Sequence, residues 1–125
     1  MGQDATKGTS PEYSQFSFHQ RYNYTTLTTP TSDLKLDGNK NVIYFDPTSG
    51  SGTHVFSTAT IDQGSGIYIM INIHATRAFT VQGSLSNVQT ISGLNRTISP
   101  GGSITFHISP GGTTAIQTNE VASTS

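Results

Sequence analysis

Apolar and polar residues in this chain alternate in short runs, and no stretch of useful length keeps the three-to-four-residue recurrence of a helix. The clearest run is GIYIMINIHATRAFTVQG, residues 66–83, in which Ile67, Ile69, Ile71 and Ile73 occupy every second position. That is the period of a strand, whose successive side chains point to opposite faces. Short strands are predicted over 34–36, 42–46, 53–58, 66–73, 77–82, 88–91, 103–109 and 113–118. Between them lie turn formers such as Asp37-Gly38-Asn39, the segment 47–52 (PTSGSG), the segment 63–66 (QGSG) and Ser92-Gly93. Many short strands punctuated in this way predict an all-β fold, a single antiparallel β-sandwich or small jelly-roll-like barrel.

The pattern also assigns faces. The four alternating isoleucines are expected to point into the core, where their burial contributes on the order of 6–12 kcal/mol before entropy is counted. The opposite face of that strand then carries Tyr68, Met70, Asn72 and His74, less polar than a solvated face usually is. Its cover is expected to be the N-terminal arm, a second sheet or another subunit. Tyr68, Met70 and His74 are therefore the candidate intersubunit face.

One repeat stands out: ISPGG occurs at residues 98–102 and again at 108–112. In each copy Pro sets φ at the first central position of a turn, and the next Gly supplies the positive φ of a type II turn. The expectation is a three-strand meander, with Ile104, Phe106 and Ile108 on one face of the middle strand and Thr105, His107 and Ser109 on the other.

Residues 1–32 read differently. They are polar and rich in Thr, yet hold five of the eleven aromatic residues: Tyr13, Phe16, Phe18, Tyr22 and Tyr24. Pairs spaced by two suggest an extended arm, and linker-like segments are normally poor in aromatic rings. The chain is thus divided into an arm (1–32), a β-sandwich domain (33–118) and a polar tail (119–125). Tyr13, Phe16, Phe18, Arg21, Tyr22 and Tyr24 are the candidate attachment residues of the arm.

Composition narrows the chemistry. The 36 Ser and Thr and 13 Gly favour strands and turns over helices. The net charge of −1 comes with six scattered Lys and Arg, so no basic face exists to neutralise phosphates, and nucleic acid is not an expected partner. No apolar run approaches the ~20 residues that span a bilayer, and the first dozen residues lack the apolar core of a signal peptide, so no membrane association is expected. There is no Cys to form a disulfide or a thiolate metal site. His19, His54, His74 and His107 lie far apart without metal-ligand spacing, and four of the seven carboxylates sit at strand ends or turns. No nucleophile elbow, phosphate loop or dinucleotide fingerprint is present. The chain is expected to be no enzyme and to bind no metal or cofactor.

The stretch 42–116 resembles the β-rich structural proteins of tailed-phage virions. The resemblance is carried by GSGIYIMINIHATRAFTVQG (64–83), a Gly-led strand ending near an Asn and followed by a second strand, and by ISGLNRTISPGGSITFHISPGG (91–112), whose Pro-Gly-Gly turn feeds an apolar strand. It covers a little over half of the chain and is one of pattern, so no functional residue carries over. It implies a virion structural protein, a capsid decoration or cement protein, often a trimer, bound to the major capsid protein on the outer surface of a shell assembled in the host cytoplasm. In several such families an N-terminal arm orders on the shell. The polar ending NEVASTS departs from the aromatic finish usual in the final strand. The alternative role is a receptor- or glycan-binding fibre domain using the loops at 47–52 and 63–66, with Tyr44 or Tyr68 as the recognition rings.

Overall fold

The computed structural model describes residues 23–36, 40–62 and 66–123. The strands are β1 (Tyr24–Leu27), β2 (Asp33–Leu36), β3 (Val42–Phe45), β4 (His54–Phe56), β5 (Thr58–Ile61), β6 (Ile67–Asn72), β7 (Phe79–Val81), β8 (Val88–Gln89), β9 (Arg96–Ile98), β10 (Ser103–Ile108) and β11 (Ala115–Val121), with one 3-10 turn at Ile91–Gly93. The described chain is nearly all β, as expected. β1 places residues 24–27 of the anticipated arm inside the main sheet, and β11 runs on to Val121.

The strands form three sheets, ordered β1-β3-β6-β10-β11-β8, β2-β5 and β4-β7-β9. The antiparallel expectation is corrected: β1–β3, β3–β6, β2–β5, β4–β7 and β8–β11 are parallel, and only β6–β10, β10–β11 and β7–β9 are antiparallel. Parallel neighbours need a long crossover, usually a helix. Here strands of the other two sheets serve as the crossover. From β3 the chain visits β4 in one sheet and β5 in another, then returns as β6 beside β3 and continues as β7 beside β4. Leu34 pairs with Ala59 and His54 with Phe79, each 25 residues on, and Val42 pairs with Ile69, 27 residues on. The arrangement is a short solenoid-like coil in mixed sheets rather than a sandwich.

Two local features turn the chain between sheets. The anticipated strand 53–58 is broken at Ser57, whose N–H donates to the Ser32 carbonyl (2.9 Å), so β4 and β5 belong to different sheets. The two ISPGG turns have the expected geometry, with Gly101 at φ +90° and Gly111 at φ +95°, and with Gly102 and Gly112 N–H groups donating to Ser99 and Ser109 at 2.9 Å. Their outcomes differ. The second closes the β10–β11 hairpin, whereas the first carries the chain from β9 in one sheet to β10 in another, so the expected meander is only half present.

The core contains Leu34, Leu36, Ile43, Phe45, Phe56, Tyr68, Met70, Phe79, Val81, Val88, Ile98, Ile104, Phe106 and Ala115. Phe45, Phe56 and Phe79 meet at its centre with ring centroids 4.9–6.3 Å apart. The facing of β6 is the reverse of that expected. Tyr68, Met70 and Asn72 are buried, while Ile67 and Ile73 are exposed and Ile69 and Ile71 half-buried. The register explains it: Met70 lies between Ile43 and Ile104, and Tyr68 beside Phe106, on the face covered by the other two sheets. Asn72 is the polar member of that buried face, and its amide donates to the carbonyls of Arg77 (2.9 Å) and Ile98 (3.0 Å) while its Oδ1 accepts from the His74 N–H (3.0 Å). A buried amide so paired avoids the desolvation cost that normally keeps Asn outside.

Candidate interaction surface

The candidate arm residues Tyr13, Phe16, Phe18, Arg21 and Tyr22 lie outside the described residues. Tyr24, the last of the set, opens β1 with its ring packed edge-on against Tyr44 at 5.7 Å. β1 and β2 each pair on one side only among the described residues, so the arm enters the fold at an open edge. A cavity of about 280 Å³ lies between these strands, lined by Leu27, Leu34, Ile43, Phe56 and Met70 together with Lys35 and Lys40. An unpaired strand edge beside an apolar recess is a place where another extended segment can add.

Tyr68 and Met70 are removed from the intersubunit set, because both are sealed within their own chain. Of the covers anticipated, it is sheet packing that covers them, supplied by the other two sheets. The burial of Tyr68 also takes it out of the glycan-recognition role. His74 is half-buried and acts locally: its Nδ1 accepts the N–H groups of Thr76 (3.1 Å) and Arg77 (2.8 Å), which closes the turn between β6 and β7.

That turn positions Arg77, whose guanidinium donates to the carbonyls of Ser49 (2.8 Å), Ser51 (3.3 Å) and Gly52 (2.8 Å). The Gly/Ser loop at 47–52 is thereby held in one conformation. Gly50 is required there, since it has φ +89° and an added Cβ would lie 2.6 Å from an Arg77 nitrogen.

The carboxylates serve the fold as well. Asp33 accepts from Thr58 (2.9 Å) and Thr60 (2.8 Å) across the β2–β5 pair, and Glu120 accepts from Arg96 (2.8 Å) and Gln117 (3.2 Å). Among the described residues no three His, Asp or Glu side chains are grouped to hold a metal ion, and no helix is long and apolar enough to cross a membrane.

The surface that the alternation did not reveal is the outward face of the six-stranded sheet. Its neighbours in register are Tyr24–Val42–Ile69–Thr105 and Thr26–Tyr44–Ile71–Ser103, flanked by Ile67 on β6, by Ile73 just after β6 and by Ile116 and Val121 on β11. None of the outward positions within its five longest strands is a Lys, Arg, Asp or Glu. The signal was present in the sequence as the isoleucine ladder itself, which was assigned to the interior.

No protein family, curated protein or solved structure matches this chain.

Proposed function

We propose that the protein is a non-enzymatic virion structural protein, a decoration or cement protein that binds the major capsid protein on the outer surface of a viral shell and stabilises it. The observation that carries the reading is the place where the aromatic arm joins the fold. It enters through β1, which has an exposed face, pairs on one side only among the described residues and has an apolar recess next to it. An arm so placed can extend from the domain and add to a partner without disturbing the core. Homo-oligomers, with a trimer favoured, belong to the same proposal. Deleting residues 1–22, which leaves β1 intact, is expected to abolish co-sedimentation with purified expanded phage heads stripped of their own decoration protein, with the circular dichroism of the β domain unchanged. Retained binding would take the attachment role away from the arm.

The second reading, a receptor- or glycan-binding fibre domain, draws on the Arg77-pinned loop at 47–52, since a preordered loop loses little entropy on binding. Binding on a glycan array that disappears in Tyr44→Ala would favour it, and silence across a broad array counts against it.

A further inference from the structure

We infer that the outward face of the six-stranded sheet, built on Ile67, Ile69, Ile71 and Ile73, is where a second copy of this chain packs. This deepens the homo-oligomer part of the reading above by naming the face through which copies meet, and it holds whether or not any shell is bound.

Three observations carry it. The first is area. Tyr24, Ile67, Ile73, Ile116 and Val121 expose 61%, 53%, 49%, 36% and 49% of their surface. That amounts to roughly 500 Å² per chain before the half-buried Tyr44, Ile69 and Ile71 are added, so two such faces reach the ~1,000 Å² at which an interface becomes specific.

The second is charge. The outward positions of β1, β3, β6, β10 and β11 hold no Lys, Arg, Asp or Glu. Contacts between identical subunits are the more apolar class, whereas partners that meet transiently use surfaces about as polar as the rest of the protein. A charge-free face offers nothing for a differently charged partner to complement. It fits a copy of itself, which equally lacks Lys, Arg, Asp and Glu there.

The third is shape. β-Branched side chains at every second position of β6 form a straight ridge, and rows of Ser103, Thr105 and His107 on one side and Val42 and Tyr44 on the other flank it. Two sheets stack face to face by interdigitating such ridges, as they do inside a sandwich. The chain shows its own preference for this packing on the inner face of the same sheet.

The absence of cysteine makes the test direct. In the full-length chain, Ile71→Cys is expected to give a covalent dimer with a short bis-maleimide, and Val55→Cys, at a more exposed position on β4 in another sheet, is expected to give none. Light scattering of the unmodified chain should return at least twice the chain mass, and the double variant I69K/I73K should return a single chain with unchanged circular dichroism. Should those lysines prevent folding, the cysteine cross-link still decides the question. A single-chain mass for the unmodified protein at every concentration up to about 100 μM overturns the inference. So does a double cysteine variant at Phe18 and Ile71 that links within one chain in place of linking two, which would assign the face to the arm.

Discussion

At the end of the coil where the described chain begins, β1 and β2 run as four-residue strands that each pair on one side only among the described residues, and an apolar recess opens between them. At the other end the chain reverses. β10 and β11, six and seven residues long, run antiparallel to close the main sheet, and the outermost strands, β8 and β9, are only two and three residues long. Short edge strands are a standard way to deny a neighbour a template, and terminal repeats of a solenoid need a distinct finish for the same reason. One end is finished in this sense and the other is left able to accept a strand.

The contrast predicts an uneven distribution of stability. The largest effect is expected for Phe106→Ala on β10, which empties a fully buried ring site and should cost about 3–5 kcal/mol in urea unfolding. Leu27→Ala on β1, where the side chain is only partly buried against the core, should cost less than half of that. Equal losses would mean that the open end is as tightly built as the closed one. Next comes Asn72→Ala, which leaves the carbonyls of Arg77 and Ile98 without their donors at the junction of two sheets and should cost about 2–3 kcal/mol by the same measurement.

Gly111→Ala should cost about 1–2 kcal/mol, because its φ of +95° strains any residue with a Cβ; a neutral result would show that the hairpin turn can relax. The smallest effect belongs to Arg96→Ala. Its pair with Glu120 is partly exposed, so a loss of no more than about 1 kcal/mol, shrinking in high salt, is expected from thermal unfolding in parallel salt series.

Much of the local structure was legible from alternation and turn chemistry alone. β3, β6 and β10 lie where the period of two placed them, and Gly101 and Gly111 adopt the positive φ that the Pro-Gly order demands. Partners and faces were less legible. Serial strands separated by glycine-rich turns read the same whether they pair with the next strand or with one 25 residues on, because the pairing groups are backbone atoms common to all residues. The candidate surface was misplaced for a related reason: both faces of β6 are apolar enough for a core, and the choice between them rests on what β3 and β10 place alongside. Asn72 can lie on the inner face because its amide is paired with the backbone of Arg77, Ile98 and His74.

What the sequence by itself determined is therefore the strand as the unit and the turns between units, both of which follow from side-chain sterics and backbone preferences within a few residues. Tertiary structure alone decided that the strands coil through three sheets, that Tyr68 and Met70 are interior, and that a ladder of isoleucines stands outward. Those outcomes depend on which distant strands meet, and burial is set by the sum of all such meetings, which no single stretch of chain contains.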